Sequence, residues 1–405
     1  MKKNILPVLF FTLLVDMIGF GMIIPIVPIL FTEPTSQSFL LTGFTVTQQY
    51  MFTGFITALY GIMQFFAAPI LGELSDVYGR KPVLLLGVSV LALSQLMFGL
   101  GITAGSLVIV VLSRAIAGLA GANFSVAQAC IADVTEPKDR AKNFGLIGAA
   151  FGAGFILGPL LGGFIADMFP HVGAAPFFFA GILGLCNVVS VMFFLPETHH
   201  VRKEKQRISV FKGVRNIQQA LKDVDARVVY ASNFFYQTGF AFFTSFVGIL
   251  LVAQYDFSAS QIGIFFGIIG VWVMITQLFI LRLVTKKYTE RQILKVTLPL
   301  LACALASYPF MPSSAFLYAC IPFIAIPNGL SMANITALIS RSVSPERQGA
   351  ALGVNGSVMA LAQSSAPLIS GIAGGLLGIY VPFMIGSACV FTGWAILSGT
   401  RIRIT

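Results

Sequence analysis

Long apolar runs alternate with short polar segments along the whole chain. At a rise of about 1.5 Å per residue, a helix of about 20 residues crosses the roughly 30 Å hydrocarbon core of a bilayer. Each run is long enough for that, so the pattern predicts twelve membrane-spanning helices with both chain ends on one side. The runs cover about residues 5–31, 49–71, 82–101, 106–131, 141–166, 175–196, 228–252, 260–284, 292–310, 315–339, 349–371 and 380–400.

Composition places the chain in the same class. Apolar residues make up 57% of the 405 positions and charged residues only 10%, and the mean hydropathy is +0.90. One soluble core cannot bury so much apolar surface, so we expect an all-α polytopic membrane protein. Lys2 and Lys3 precede a first run that is too long for a signal-peptide core and lacks a small-residue cleavage site, which predicts an uncleaved first helix.

Basic residues are distributed unevenly between the connections. The odd-numbered connections, at 32–48, 99–105, 167–174, 253–259, 311–314 and 372–379, contain no Lys or Arg. By the positive-inside rule, both termini and the even-numbered connections face the cytoplasm, and we expect the chain in the cell's inner (plasma) membrane. This topology accounts for the net charge of +10, whereas a nucleic-acid-binding protein would need a basic soluble face.

The longest connection divides the chain into two halves. The pattern predicts a six-helix bundle at 1–196, a cytoplasmic linker at 197–227 and a second six-helix bundle at 228–405. Apolar residues recur at helical spacing from Val210 to Val224, so the linker is expected to include an amphipathic helix on the inner leaflet, as a plain linker or as a regulatory element. GPLLGG at 158–163 recurs as APLISG at 366–371, which indicates that the halves are repeats.

A charged segment, GELSDVYGRKPVLL at 72–85, separates the second and third runs. Its charges alone would be explained as a short hairpin that obeys membrane topology. Its spacing of glycine, acidic and basic residues resembles the signature between helices 2 and 3 of the major facilitator superfamily. That resemblance implies two six-helix bundles with the substrate site between them. The residues assigned to a cytoplasmic gate are Gly72, Asp76, Gly79, Arg80, Lys81 and Asp133.

The fifth run contains GFILGPLLGG at 154–163. Its glycines would let a neighbouring helix approach closely and its proline would kink the span, which generic helix packing would also explain. The stretch matches the antiporter signature of the superfamily, and this resemblance implies efflux by exchange. The signature residues are Gly154, Gly158, Pro159, Gly162 and Gly163.

Two ionisable residues lie inside apolar runs, Asp16 near the bilayer centre and Arg114 about a third of the way into the fourth run. Such residues are costly in hydrocarbon, so they are candidates for a function, either proton coupling or a structural ion pair or hydrogen-bond network. The context LLVDMIGFG of Asp16 resembles helix 1 of tetracycline-type drug/proton antiporters, and RAIAG at Arg114 resembles the helix 4 signature of proton-coupled members. The resemblance implies proton coupling. The neutral segment 92–95 replaces the helix 3 acid of tetracycline pumps, which argues against recognition of a tetracycline–metal chelate.

Polar residues recur at helical spacing on several runs. They predict faces that line a substrate cavity or, alternatively, faces that hydrogen-bond neighbouring helices to each other. The predicted cavity residues are Phe20, Thr57, Tyr60, Gln64, Asn233, Tyr236, Gln237, Phe240, Asn328, Ser331, Asn355 and Gln363.

The sequence predicts no cofactor and no metal site. It has no phosphate-binding glycine loop with a lysine, so ATP drive is not supported, and its cysteines lack metal or disulfide spacing. We therefore expect a secondary transporter rather than an enzyme: a monomer that exchanges protons for small amphipathic compounds and exports them. The alternative is a proton-coupled importer or facilitator of a small metabolite. A receptor that had lost transport would carry decayed signatures and no intramembrane charge, which is not observed.

Overall fold

The computed structural model describes residues 5–135, 140–198, 215, 218, 226–342 and 348–400. All regular secondary structure in these ranges is helical, and twelve helices are long and apolar enough to cross a membrane, which confirms the predicted fold class. They are numbered α1 to α12 and span Ile5–Thr32, Val46–Tyr78, Arg80–Thr103, Leu107–Val134, Leu146–Met168, Ala175–Phe194, Arg227–Tyr255, Ala259–Val284, Glu290–Phe310, Ser314–Arg341, Gly353–Leu377 and Val381–Gly399.

Several of these helices are irregular, among them α1, α4 and α8. The helical segments of α1 are separated at Ile24 and Pro25, as expected because proline has no N–H to donate to a helix. In α4 the helix is interrupted at Gly121 and Ala122. In α8 the residues Thr276–Ile280 form a π-helical turn. Each irregularity leaves backbone groups that need partners from neighbouring helices or side chains.

The described helices form two compact units. The first draws on residues within Met1–Thr42, Ile62–Lys212 and Phe257–Gly267, and the second within Gly43–Gly61, Gly213–Asp256 and Ile268–Thr405. In the first unit α1 packs against α5 and α6, and α3 packs against α4 and α6. In the second unit α7 packs against α11 and α12, and α9 packs against α10 and α12. The same pairs are in contact in both units when α7–α12 are matched in order with α1–α6, as expected of a repeated fold.

The segment between α2 and α3 differs from the predicted hairpin. The helix of α2 continues to Tyr78, α3 begins at Arg80, and Gly79 alone joins them with a φ of +103°. Gly72 and Asp76 therefore lie on the last turns of α2. A loop is not needed to satisfy the charges, because Asp76 and Arg80 form an ion pair across the turn. We call the membrane side that carries Gly79 the junction side and the opposite side the far side.

The predicted amphipathic helix of the linker lies outside the described residues. Within 197–227 the structure describes only 197, 198, 215, 218, 226 and 227.

Candidate functional site

Asp16 lies in the middle of α1, and its side chain is half-buried. It borders a small cavity of about 10 Å³, which is roughly the volume that one water molecule needs. Helices α1, α3 and α6 enclose this cavity. Its lining residues are Val15, Asp16, Gly19, Val88, Leu91, Ala92, Gln95, Ala180 and Gly184. The carboxyl group of Asp16 therefore meets apolar side chains and one amide in the interior of the first unit.

Arg114 is linked to α1 through Gln95. Its Nη2 donates to Oε1 of Gln95 at 3.1 Å, and Nε2 of Gln95 donates to the carbonyl oxygen of Gly19 at 3.2 Å. The guanidinium also lies over the ring of Phe98, with its Cζ 4.4 Å from the ring centroid. Arg114 and Gln95 are each only 4% exposed. An amide and an aromatic face on α3 thus replace the water that a buried guanidinium loses.

A third residue, Gln95, relates the two predicted coupling residues: it lines the same cavity as Asp16 and is hydrogen-bonded to Arg114. Gln95 lies between them, because its side chain lines the cavity beside Asp16 and also accepts the hydrogen bond from Arg114. The sequence pattern marked this stretch of α3 only as neutral and did not single out Gln95.

The antiporter signature on α5 packs against α1 through glycines, whose lack of a side chain lets the two helices approach closely. A Cβ placed on Gly21 would lie 2.8 Å from Cδ of Pro159 and 3.0 Å from Cα of Gly158. Gly154 and Gly162 face the neighbouring turns of α1 equally closely. Real Cβ contacts essentially never occur under 3.0 Å, so this crossing requires glycine. The crossing fixes the position of the half of α1 that follows Asp16.

Gly163, the last residue of the signature, faces a different helix. A Cβ there would lie 2.8 Å from Cα of Ser260, in the first turn of α8. On the next turn of α5, Asp167 accepts hydrogen bonds from the hydroxyl of Ser258 at 2.8 Å and from the backbone N–H of Ser260 at 3.3 Å. A carboxylate is favourable at a helix N-terminus, so Asp167 stabilises the far-side end of α8.

Arg80 is the centre of an ion cluster at the junction. Its Nη1 lies 2.6 Å from Oδ1 of Asp76 and donates to Oγ of Ser75 at 2.6 Å, while its Nε donates to Oδ2 of Asp133 at 3.0 Å. The structure therefore brings three of the predicted gate residues together and adds Ser75. All of them belong to the first unit.

Glu197 caps the N-terminus of α3, although the sequence pattern placed this residue in the linker. Its Oε1 accepts from the backbone N–H of Arg80 at 2.9 Å, and its Oε2 accepts from that of Lys81 at 3.3 Å. A Cβ on Gly79 would collide with this carboxylate, and the φ of +103° also favours glycine there. By contrast, a Cβ on Gly72 would meet no described atom within 4 Å.

The predicted cavity residues of the second unit are mostly buried between helices. Nδ2 of Asn233 donates to Oδ1 of Asn355 at 2.6 Å, which ties α7 to α11. The hydroxyl of Tyr236 donates to Oδ1 of Asn328 at 2.6 Å, which ties α7 to α10. These contacts correspond to the second interpretation of the polar faces, in which they join helices. Ser331 and Gln237 are also buried, Phe240 is half-buried and Gln363 is exposed.

The remaining predicted cavity residues lie on α1 and α2. Phe20 is 39% exposed, and Thr57 and Tyr60 are half-buried. Nε2 of Gln64 donates to the carbonyl oxygen of Gly121 at 3.0 Å, so this side chain satisfies a backbone group at the interruption of α4.

Twelve apolar helices in two repeated compact units, with a carboxyl group and a buried guanidinium inside the membrane-spanning part of the first unit, define a polytopic secondary transporter. In the described part of the chain, no three His, Cys, Asp or Glu side chains cluster in a way that could hold a metal ion. The sequence model of the Major Facilitator Superfamily matches residues 9–367, and the chain belongs to this superfamily. Its members are secondary transporters and not enzymes, which confirms the predicted class.

Relatives and structural neighbours span nearly the whole chain. The tetracycline resistance protein of class C from Escherichia coli is 29% identical over 368 residues, covering 91% of this chain and 89% of its own length. Multidrug resistance protein 2 of Bacillus subtilis is 26% identical over 402 residues, covering 97% and 94%. The crystal structure of the human organic anion transporter TETRAN has a TM-score of 0.71 and 24% identity, and the match covers 98% and 99% of the two chains.

Proposed function

We propose that this chain is a proton-coupled antiporter that exports small amphipathic compounds by alternating access. It would work as a monomer in the inner (plasma) membrane, with both termini and the α2–α3 junction in the cytoplasm. The resistance proteins among its relatives support this substrate class, and the unequal distribution of basic residues supports the orientation.

The observation that carries the proposal is the placement of Asp16. It is a half-buried carboxyl group in a membrane span, beside a cavity of about one water that is also lined by Gln95, the hydrogen-bond partner of Arg114. When the transporter opens to the more acidic outside, Asp16 takes up a proton and the compound leaves. When it opens to the cytoplasm, Asp16 releases the proton, and the restored negative charge favours a cationic or polarisable compound.

The predicted cavity residues take two roles in this proposal. We assign direct contact with the exported compound to the side chains that remain accessible, and a positioning role to the buried amides Asn233, Asn328 and Asn355. The accessible side chains are Phe20, Thr57, Tyr60, Phe240 and Gln363. Aromatic faces suit planar cations, which fits the proposed class.

The direction of transport is tested in membrane vesicles with ethidium, a planar amphipathic cation, as the probe. Inverted vesicles whose lumen is made acidic should accumulate ethidium, and collapse of the pH gradient should release it. Accumulation in right-side-out vesicles instead would support a proton-coupled importer. Equilibration that ignores the pH gradient in both preparations would support a facilitator and would contradict the proposed exchange.

A further inference from the structure

A cavity of about 390 Å³ lies at the start of α9 and the end of α12, which the alternation of spans places on the junction side. We call it the basic cavity. Its described lining residues are polar or cationic, and none of them is acidic: Thr289, Arg291, Gln292, Lys295 and Ser398. We propose that the basic cavity binds the phosphate headgroup of an anionic phospholipid. The inference is independent of the proposed proton coupling, because the basic cavity shares no residue with the site at Asp16.

Arg291 is fixed at the wall of the basic cavity. Its Nη2 donates to the carbonyl oxygen of Leu397 at 3.0 Å and to that of Thr400, so it satisfies the last backbone acceptors of α12. These acceptors carry no net charge, so the positive charge of the guanidinium is not cancelled. In the described part of the chain, Nε of Arg291 and Oγ of Ser398 are also buried without hydrogen-bond partners. The wall therefore keeps both charge and hydrogen-bonding capacity that the described protein does not use.

Lys295 supplies the second cation, one turn further into α9. Its side chain is exposed, and its ammonium group makes no hydrogen bond or ion pair with a described residue. The acidic residue nearest to it in the sequence, Glu290, is paired instead with Arg341, with 3.0 Å between Oε1 and Nη1. Basic pockets at the cytoplasmic ends of membrane spans bind the phosphates of anionic lipids. The two cations therefore match a lipid phosphate in charge.

Trp394 marks the level of the lipid headgroups beside this cavity. Its Nε1 donates to the carbonyl oxygen of Lys295 at 3.0 Å, which ties α12 to α9 next to the cation. The indole also packs on the ring of Phe391, with ring centroids 4.9 Å apart. Tryptophan is enriched where the hydrocarbon of a bilayer meets its headgroups.

The surface that continues from the basic cavity toward the bilayer centre is apolar. On α9, Val296 and Leu300 follow Gln292 at four-residue spacing, and both are exposed. On α12, Phe391 is exposed two turns before Ser398. A soluble phosphate compound would use only the polar cavity, whereas a phospholipid also covers this apolar surface with its acyl chains. The positive-inside rule explains basic residues at these helix ends, but it does not require them to line one cavity with an apolar margin.

The experiment uses Trp394 as the reporter. The chain has two tryptophans, so Trp272→Phe leaves Trp394 as its one fluorophore. The full chain with this change is reconstituted in phosphatidylcholine bilayers that contain increasing fractions of brominated phosphatidylglycerol, whose bromine atoms quench nearby tryptophan. Quenching should appear at lower fractions than with brominated phosphatidylcholine. Equal quenching by the two brominated lipids would overturn the proposal.

Lys295→Gln in the same background removes one cation and keeps the backbone carbonyl that binds Trp394. The preference for phosphatidylglycerol should fall about fivefold, the effect of one Lys or Arg near an anionic lipid surface. Lys287→Gln is the matched control, because Lys287 is also exposed at a junction-side helix end but does not line the basic cavity. Its preference should equal that of the background protein. Equal losses in the two variants would show a general attraction to the basic surface and would overturn the proposal.

Inorganic phosphate, compared with chloride at the same ionic strength, separates a lipid headgroup from a soluble phosphate. It should leave the quenching by brominated phosphatidylglycerol unchanged. Relief of quenching by phosphate would assign the cavity to a soluble anion and would contradict the lipid assignment. If Trp272→Phe fails to fold, the difference in quenching between the native protein and Lys295→Gln supplies the same test, since both retain Trp272.

Discussion

Gly162→Ala and Gly163→Ala should have different effects although the two residues are neighbours, because they face different helices. A Cβ on Gly162 would lie 2.5 Å from the carbonyl oxygen of Met22 on α1, and a Cβ on Gly163 would lie still closer to the carbonyl oxygen of Ala259 on α8. Ordinary contact begins at 3.4 Å, so each crossing must widen by about 1 Å. Overpacking of this kind costs ~1–3 kcal/mol.

The cost of the added methyl group acts on a different equilibrium in each of the two variants. Because α1 and α5 belong to one half of the chain, Gly162→Ala should destabilise the folded first unit and lower its unfolding temperature. The first turns of α8 lie in the same compact unit as α5, whereas the remainder of α8 belongs to the second unit. Gly163→Ala should therefore loosen the contact of the first turn of α8 with α5, shifting the population toward α5–α8 separation by about 5–150-fold.

Thermal unfolding and the distance between spin labels at the far-side ends of α5 and α8 separate these effects. Gly148→Ala is the control, since a Cβ there would meet no described atom within 4 Å, and it should change neither readout. Equal losses of unfolding temperature in Gly162→Ala and Gly163→Ala, with an unchanged distance distribution, would refute the assignment of the two glycines to separate crossings.

Two further predictions concern the helix ends. Gly79→Ala should lower the free energy of unfolding by ~1–3 kcal/mol, because the added Cβ strains a left-handed backbone and collides with the carboxylate of Glu197. Gly72→Ala is the control and should not lower it, because a Cβ there meets no described atom within 4 Å. Equal denaturation midpoints of the two variants would contradict this prediction. Asp167→Ala removes the acceptor for the hydroxyl of Ser258 and for a backbone N–H of α8, and each lost hydrogen bond costs ~1 kcal/mol. The spin-label distance between α5 and α8 should therefore shift to longer values. An unchanged distance distribution would show that the contact is energetically neutral.

The twelve helices could be predicted because membrane crossing depends on length and apolarity, which are local properties of the sequence. The α2–α3 junction was harder to predict, because the charges at Asp76 and Arg80 indicated a loop. In the structure they satisfy each other at helical spacing, so the helix does not need to end before Tyr78. The interruption of α4 at Gly121 has no proline to mark it, and its carbonyl oxygen is satisfied by a side chain from α2, which only the fold brings near.

Only the charged residues of the candidate site could be predicted from the sequence. Asp16 and Arg114 stand out because charge is rare inside apolar runs, whereas Gln95 is neutral and becomes significant only when α3 places it between them. Glu197 follows the end of α6 and looks like the first residue of a linker, but the fold places it against the first N–H groups of α3. The buried amides on α7, α10 and α11 were detected as polar faces, but their spacing alone left open whether they bind a compound or one another.

The most direct test of proton coupling compares the native protein with Asp16→Asn in proteoliposomes that carry an imposed pH gradient. The variant mimics the protonated carboxyl group, so concentrative transport of ethidium driven by the gradient should be lost. Ethidium exchange down its own concentration gradient should continue, because the protein still folds and changes the side to which it opens. Gradient-driven accumulation in Asp16→Asn at the native rate would contradict the account and place the coupling site elsewhere.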